Sequence, residues 1–227
     1  MPVRLKVAVY NLGLLSYQSA FLAQVELHRQ VVAEELSAGM ILVEHPPVIT
    51  IGRNSGTGSL IASQGRLTSC GIDLVQTDRG GDMTAHNPGQ LVVYPIINQK
   101  SQSMTPRTYV SGLEEVVIAL LKTYGIQATR DDRNSGVFLG NDKICAIGVR
   151  IKNRVSMHGL ALNVCNDLSI FSEIVPCGVA SAGVCKVETL KPGITVASVV
   201  GALMEQVAQK FPWDLEFHDP SELQSLC

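Results

Sequence analysis

Apolar residues recur with two different spacings in the first part of the chain, one typical of a strand and one of a helix. Apolar and polar residues alternate over Lys6–Tyr10, which is typical of a half-buried β-strand. From Ser16 the apolar residues recur every three to four positions until a stop at Gly39, which predicts an amphipathic helix. Met40–Val43 and Val48–Ile51 then predict two strands, separated by prolines that cannot donate to a strand ladder.

The rest of the chain shows the same two spacings of apolar residues, which predict further strands and helices that follow one another along the sequence. One helix is predicted from Pro106, a residue suited to a first helical turn, to Gly125, and another from Thr195 towards Phe211. The interspersed elements and hairpins predict an α+β fold with a mixed, largely antiparallel sheet flanked by helices, which we expect on one side. The remaining predicted strands are Ile72–Thr77, Leu91–Ile97, Gly136–Leu139, Lys143–Ile151 and Val155–Val164.

Composition favours one folded domain. The 227 residues are 46% hydrophobic and 17% charged, with a mean hydropathy of +0.21, so the chain can bury a large core. We expect a single domain over residues 1–227, in which residues 212–227 could form a loose C-terminal tail. The formal net charge of −2 excludes binding of nucleic acid or of an anionic membrane through the field of the whole protein. No apolar run reaches the ~20 residues of a membrane span.

The cysteine pattern indicates free thiols. None of the six cysteines belongs to a C-x-x-C pair, which removes the sequence support for a zinc ribbon or a thioredoxin-like site. The N-terminal residues lack the continuous apolar stretch of a secretory signal. We therefore expect the cytoplasm, or a mitochondrion or plastid if a transit peptide has been removed.

A long polar loop, Asp78–Gln90, separates two of the predicted strands and is a candidate ligand site. Its glycines permit close approach of backbone N–H groups to a ligand, while Arg79 and His86 could bind a carbonyl or a thioester. No Lys-Ser or Lys-Thr pair follows the glycines, so the loop is not a phosphate loop. The alternative is a capped surface turn in which His86 satisfies a backbone carbonyl.

Cys177 is the best candidate for a nucleophile, because Pro176 and Gly178 place it in an irregular loop rather than in a core strand. A thiol with a pKa near ~8.5 needs a nearby cation or base to become a thiolate at neutral pH. The candidates are Lys143, His86 and His158. The alternatives are an inert thiol, a lysine at a strand end and structural histidines.

Four ordered motifs together resemble the octanoyltransferases of lipoate biosynthesis, the lipoyl(octanoyl) transferases. The similarity covers most of the chain, from about Tyr10 to Leu190, and His45–Gly52 is similar to a further early block of that family. The four motifs are Arg79–Gln90, Lys143–Gly148, His158–Val164 and Pro176-Cys177-Gly178.

The resemblance implies a fold similar to the catalytic fold of biotin protein ligase and the lipoate ligases. It implies that Cys177 takes an octanoyl group from octanoyl-acyl carrier protein as a thioester, and that Lys143 lowers the pKa of that thiol and shuttles the proton. A lysine of a lipoyl domain then receives the group as an amide, the first step of endogenous protein lipoylation. The implied acceptors are the lipoyl domains of 2-oxoacid dehydrogenase complexes and the glycine cleavage H protein.

The resemblance also implies which residues bind the substrate, and it implies no cofactor and no metal. The exchange of one thioester for another is nearly isoenergetic, so neither a nucleotide nor a metal ion is needed to drive it. We further expect a monomer that binds neither nucleic acid nor membrane. The substrate-binding residues are Arg79, Gly80, Gly81, Asp82, Met83, Thr84, Ala85, His86, Ala146, Ile147, Gly148, His158, Gly159, Leu160 and Ala161.

Several positions depart from the family pattern. Ala85 and Met157 replace residues that are commonly aromatic, and Asn87 replaces a glycine, which predicts a wider or differently shaped acyl channel. The stretch after Gly178 also fits poorly, so Cys185 is a rival or resolving thiol.

Three other functions stay open on the sequence. One is an ATP-dependent lipoate or octanoate ligase, in which Lys143 would contact an acyl-adenylate. The others are a transferase that moves acyl groups between two lipoyl domains, and a non-catalytic protein that binds acylated domains. Arg150, Lys152 and Arg154 predict a basic hairpin tip that could attract an acidic carrier protein.

Overall fold

The computed structural model describes residues 4–56, 58–131, 134–175 and 183–224. Most of these residues are organised around one large sheet of eight strands. In their order across the sheet, the strands are β11 (Trp213–His218), β1 (Leu5–Leu14), β2 (Gly39–Glu44), β6 (Gln90–Ile96), β10 (Val155–Asn163), β9 (Asp142–Lys152), β8 (Asn134–Leu139) and β7 (Thr129–Asp131).

The large sheet is mixed and largely antiparallel. Strand β1 runs parallel to both of its neighbours, β11 and β2. Every other neighbouring pair of the sheet is antiparallel, including the long hairpin of β9 and β10. The α+β fold class predicted from the sequence is therefore confirmed.

A second, smaller sheet combines two predicted strands with a third strand that lies within the predicted long loop. Its central strand β3 (Val48–Ile51) pairs in parallel with β4 (Asp73–Gln76) and antiparallel with β5 (Thr84–His86). The short helix α2 (Gln64–Ser69) and a 3₁₀ helix, Leu168–Glu173, supply side chains to its own apolar cluster. Strand β5 is only three residues long, too short for a two-residue period to reveal it.

Helices cover both faces of the large sheet. Helix α1 (Tyr17–Val32) packs on one face, whereas α3 (Pro106–Thr123) and α4 (Val196–Lys210) pack on the other. Successive residues of β6 belong to different clusters: Val92 lies with α1, and Val93 with α3 and α4. The prediction of helices on one side is thus wrong, because a strand buried at every position, such as β6, needs cover on both faces.

Side-chain caps set the starts of the main helices. Thr105 with Thr108, and Thr195 with Ser198, form reciprocal capping boxes before α3 and α4. Helix α1 ends at Val32, well before the predicted stop at Gly39. None of the helices in the described ranges is both long and apolar enough to cross a membrane.

Among the described residues of the C-terminal stretch, 213–218 belong to the sheet and 221–224 form a helix, which corrects the prediction of a loose tail there. Strand β11 runs beside β1, and the backbone of Leu5 donates to the carbonyl of Pro212 at 2.8 Å. Trp213 is completely buried and stacks on Phe211 with ring centroids 4.1 Å apart. The chain then continues into a short helix, α5 (Ser221–Gln224). Burial of this large aromatic residue and the ladder to β1 hold the segment against the core.

Candidate active site

A cavity lies between the central strands of the large sheet and the segment that leads into β5. It holds about 540 Å³ of empty space, counting its open mouth. Its lining residues come from α1, β5 and the loop before it, β6, β8, β9 and β10. They are Tyr17, Arg79, Gly80, Gly81, Asp82, Met83, Thr84, His86, Val92, Tyr94, Asn134, Lys143, Ala146, Ile147, Gly148, His158, Gly159, Leu160 and Ala161.

Small residues leave the room for this cavity. Ala161 of β10 pairs with Ala146 of β9, and two residues further along the same strands Gly159 pairs with Gly148. Side chains two residues apart face the same side of a sheet, so these four residues form a floor that is almost free of side chains. A methyl group at Gly159 would collide with the carbonyl oxygen of Val93, which leaves no space for any other residue there.

The loop Arg79–Gly81 lies over this floor. The amide of Gly80 donates to the carbonyl of Val149 at 3.1 Å, and a Cβ at Gly148 would come within 2.9 Å of the Gly80 carbonyl. Arg79 is buried and donates through Nη2 to the carbonyl of Thr50 at 2.7 Å and through Nη1 to that of Gly80 at 3.0 Å. These bonds fix the loop to β3 and to its own backbone, so Arg79 both lines the cavity and holds the cavity wall in place.

Lys143 places an amino group in the cavity wall. The residue is 5% exposed, its Nζ donates to the carbonyl of Ser135 at 3.3 Å, and the amino group lies 5.0 Å from the centre of the Phe138 ring. That distance is within the range of a cation–π contact. A buried ammonium stabilises a negative charge brought close to it far more than an exposed one would.

Cys177 lies outside the described residues, but the chain on either side of it is held at the cavity. On one side, the amide of Val175 donates to the carbonyl of Ser59 at 2.8 Å. The hydroxyl of Ser59 in turn donates to Asp82 in the cavity wall at 2.9 Å. On the other side, the amide of Lys143 donates to the carbonyl of Gly183 at 2.9 Å. Both flanks therefore meet residues that line the cavity or adjoin those that do.

Three of the other thiols have little nucleophilic character. Burial raises the pKa of Cys145 to about 12, and burial followed by the charge of Asp142 raises the pKa of Cys185 to about 12. Burial also raises the pKa of Cys165. A thiol with a raised pKa stays protonated at neutral pH. The backbone amide of Cys185 donates to the Lys143 carbonyl at 3.0 Å.

Two buried histidines close one end of the cavity region. Nδ1 of His86 lies 2.7 Å from Oε1 of Gln90, whose amide nitrogen donates to Asn163 at 2.8 Å. His45 lies beside it, with Nε2 2.9 Å from the hydroxyl oxygen of Tyr94. Burial lowers the pKa of His86 to about 3 and that of His45 to about 4. Both rings are therefore neutral at physiological pH.

The third histidine, His158, belongs to β10 and is 1% exposed. Its Nε2 lies 2.8 Å from a carboxylate oxygen of Asp78, and the other oxygen of Asp78 pairs with Arg150. This pairing corrects the prediction of a basic tip formed by three residues. Arg150 is neutralised by Asp78, and only Lys152 and Arg154 remain exposed at the turn.

The sequence places one residue in the site that the structure does not. Ala85 is completely buried in the apolar cluster of the small sheet and does not line the cavity, whereas Thr84 and His86 do. Alternation along β5 turns the middle residue to the opposite face. Met157 packs under α1, also away from the cavity lining. Substitutions at these two positions therefore do not widen the channel directly.

Sequence reasoning also missed four lining residues: Tyr17, Val92, Tyr94 and Asn134. Two of them, Val92 and Tyr94, lie in an apolar run, where they are indistinguishable from core residues. Val92 could be recognised as a lining residue only from its partner on the neighbouring strand, because it pairs with the floor residue Ala161. That signal requires the strand register, which the sequence alone does not provide.

Comparison with known proteins identifies close relatives in sequence. A sequence profile described as the lipoyl protein ligase A/B catalytic domain matches residues 16–208. An octanoyltransferase of Alkaliphilus metalliredigens is 47% identical over 183 residues, which cover 80% of this chain and 84% of that protein. An octanoyltransferase of Caldicellulosiruptor saccharolyticus is 42% identical, covering 82% and 80%. The resemblance drawn from the four motifs is confirmed.

Solved structures agree with the fold. A lipoate-protein ligase A bound with ATP superposes with a TM-score of 0.75 at 17% identity, covering 97% of this chain and 91% of that one. A bipartite lipoate protein ligase of Thermoplasma acidophilum gives a TM-score of 0.75 at 17% identity, covering 99% and 90%. The predicted likeness to the lipoate ligase fold is confirmed. At this identity the likeness concerns the fold alone.

Proposed function

Since the chain belongs to the lipoyl protein ligase A/B catalytic family, we propose that it moves an octanoyl group from octanoyl-acyl carrier protein to a lysine of a lipoyl domain. It is an acyltransferase of the octanoyltransferase type. In this proposal the group is held in between as a thioester on Cys177. The observation that carries it is the buried side chain of Lys143 in the cavity wall, on a residue whose backbone amide donates to the carbonyl of Gly183.

In the first half-reaction, the sulfur of Cys177 attacks the carbonyl carbon of the octanoyl thioester. The ammonium of Lys143 favours the thiolate by opposite-charge attraction. A new C–S bond forms, the carrier's C–S bond breaks, and the departing carrier thiolate takes a proton from Lys143. The products are an octanoyl-enzyme and a free carrier thiol.

In the second half-reaction, the amine of the acceptor lysine attacks the Cys177 thioester. The C–N bond forms as the C–S bond breaks, and a proton of the amine passes through Lys143 to the sulfur. Amide formation from a thioester is downhill. The reaction therefore needs no nucleotide.

The octanoyl chain lies over the floor of small residues in this proposal. The pairs Ala146–Ala161 and Gly148–Gly159 leave space above β9 and β10, and Val92 supplies an apolar neighbour opposite Ala161. Backbone N–H groups of the glycine loop above the floor are the natural donors for the thioester oxygen. The chain and its reacting carbonyl would then occupy one continuous cavity.

Exposed basic residues at the turn of the hairpin that carries the cavity floor favour an acidic carrier protein. Lys152 and Arg154 form the tip of the β9–β10 hairpin, and neither makes an ion pair within the described part of the chain. The amide of Gln99 donates to the carbonyl of Arg154 at 2.8 Å, which brings the exposed Lys100 to the same end of the sheet. We define Lys100, Lys152 and Arg154 as the basic tip. Its charge would raise the rate of encounter with an acidic partner.

Intact-mass spectrometry after mixing with octanoyl-acyl carrier protein, without ATP, tests the proposal. Wild type is expected to gain one octanoyl group that hydroxylamine removes, and Cys177→Ser is expected to gain no thioester-bound group. The matched control Cys185→Ser should label like wild type. Labelling only in the presence of ATP would support a ligase instead, and labelling that survives in Cys177→Ser but disappears in Cys185→Ser would move the nucleophile.

A further inference from the structure

His158 adopts a backbone conformation that side chains rarely take within a strand. Its φ is +57°, in the left-handed region, where a residue other than glycine is strained. Its amide donates to Oε1 of Gln24 at 2.8 Å, and Gln24 is itself completely buried in α1. A buried glutamine of another element thus stabilises the unusual conformation. Strain that is over-determined in this way is typical of functional positions.

The ring of His158 is held as firmly as its backbone. Phe21 stacks on one face at 6.0 Å between centroids, and Tyr94 meets the ring edge-on at 6.4 Å. Nε2 lies 2.8 Å from Asp78, whose second carboxylate oxygen pairs with the guanidinium of Arg150. The imidazole therefore has a single orientation in the cavity wall.

These contacts fix which ring nitrogen carries the hydrogen. A carboxylate can only accept, so the hydrogen of a neutral His158 lies on Nε2 and is donated to Asp78. Burial lowers the pKa of His158 and keeps the ring neutral, against the opposing effect of Asp78. Nδ1 is then a lone-pair acceptor. It is buried and has no hydrogen-bond partner among the described residues.

We propose that Nδ1 of His158 accepts a hydrogen bond from the amine of the acceptor lysine, and that Asp78 is a positioning residue that keeps Nδ1 free of hydrogen. The inference rests on the proposed function. An octanoyl chain carries no donor, whereas the attacking amine has two N–H bonds once its lone pair points at the thioester. One of these protons goes by way of Lys143 to the sulfur, and the other is held by His158.

The conformation at His158 supplies a discriminating pair of variants. Asparagine and glycine both tolerate a left-handed φ, so neither His158→Asn nor His158→Gly adds backbone strain. Only asparagine keeps a polar atom close to the place of Nδ1. The two half-reactions are measured separately, as formation of the octanoyl-enzyme and as its single-turnover decay with a lipoyl domain.

His158→Gly is expected to slow the transfer to the lipoyl domain at least tenfold more than it slows formation of the octanoyl-enzyme. His158→Asn should recover a large part of that loss. Equal losses in both half-reactions, or a loss confined to octanoyl-enzyme formation, would overturn the inference. Failure of the wild type to form an octanoyl-enzyme would instead refute the proposed function.

Asp78→Asn tests the positioning role of Asp78 while it keeps the His158 ring and a side chain of nearly the same size at position 78. The amide oxygen pairs with Arg150, so the amide nitrogen donates to Nε2 and the ring hydrogen moves to Nδ1. The ¹⁵N shifts of the His158 ring should report this exchange of tautomers, and the transfer half-reaction should fall at least tenfold more than acylation. The exposed Asp73→Asn is the matched control and should change neither. A switched tautomer with unchanged transfer would contradict the inference.

Discussion

The backbone amide of Lys143 donates to the carbonyl of Gly183 at 2.9 Å, so the residue that supplies the buried amino group also anchors the chain beyond Cys177. The amide of Cys185 returns a bond to the Lys143 carbonyl at 3.0 Å. This short parallel bridge between Lys143 and Val184 ties the described chain that follows position 182 to the start of β9. The side chain of Lys143 lines the cavity, and its backbone binds the chain at Gly183 and Cys185.

The first prediction concerns the charge of Lys143. Lys143→Met keeps most of the apolar stem but removes the ammonium, and we expect formation of the octanoyl-enzyme to fall by about 10²–10⁴-fold, the usual range for loss of an acid–base group. The rate is measured by quenching the reaction at a series of times and determining the octanoylated fraction by intact-mass spectrometry. The exposed Lys122→Met is the control, because it lies at the far end of α3. A loss below about fivefold would show that the ammonium is dispensable.

The second prediction concerns the length of the bound acyl chain. Ala161→Val adds two carbon atoms to the cavity floor opposite Val92 and should shift the preference from octanoyl towards hexanoyl donors at least fivefold. The ratio of kcat/KM for the two donors measures it. Ala33→Val, on the exposed end of α1, should leave the ratio unchanged. An unchanged ratio in Ala161→Val would mean that the chain lies elsewhere.

The third prediction concerns the packing of the glycine loop on β9. A Cβ at Gly148 would come within 2.9 Å of the Gly80 carbonyl, so Gly148→Ala must displace the loop. We expect a loss of about 1–3 kcal/mol in the free energy of unfolding, together with slower acylation. Gly201→Ala, on the open face of α4, should instead stabilise by up to about 1 kcal/mol. Urea unfolding checks both values, and equal stabilities would contradict the close contact.

The fourth prediction concerns acid stability. His86 has a pKa of about 3 when folded and near 6.5 when unfolded, so the unfolded chain binds more protons between these values. The stabilisation from its neutral form is present above pH 6.5 and is lost as the pH falls towards 3. Between pH 7 and pH 5 the free energy of unfolding should fall by on the order of 2 kcal/mol from this group.

Urea unfolding of wild type and His86→Gln at the two pH values isolates that contribution. The variant cannot titrate, so its stability should fall less than that of wild type over the same interval. His45, with a pKa of about 4, contributes in the same direction in both proteins. An identical fall in wild type and variant would mean that His86 is protonated in the folded state.

The fifth prediction concerns the basic tip. Replacement of Lys152 and Arg154 by glutamate should raise the KM for octanoyl-acyl carrier protein severalfold at low ionic strength and leave kcat nearly unchanged. Salt should shrink the difference, since charges beyond about 10 Å are screened at 0.1 M. Lys122→Glu, an exposed charge reversal in the last turn of α3, is the control for a charge change away from the tip. A KM that is independent of these charges at low salt would exclude steering by the tip.

The motifs locate much of the site, and the strand register decides the rest. Arg79–Thr84 and His158–Ala161 line the cavity, as the motifs predict. Ala85 lies in the same motif but faces the opposite way, since β5 alternates and its existence is not visible in the sequence. Tyr94 is hidden within a fully apolar strand, where only its neighbour across the sheet reveals it as a site residue.

The pH dependence of alkylation at Cys177 tests the central claim most directly. Iodoacetamide is applied across a pH series to wild type and Lys143→Met, and peptide mass spectrometry isolates the rate at Cys177 from that of the other thiols. A thiolate stabilised by the ammonium should titrate below the ordinary ~8.5 in wild type and at or above it in Lys143→Met. Coinciding titration curves for the two proteins would contradict the account.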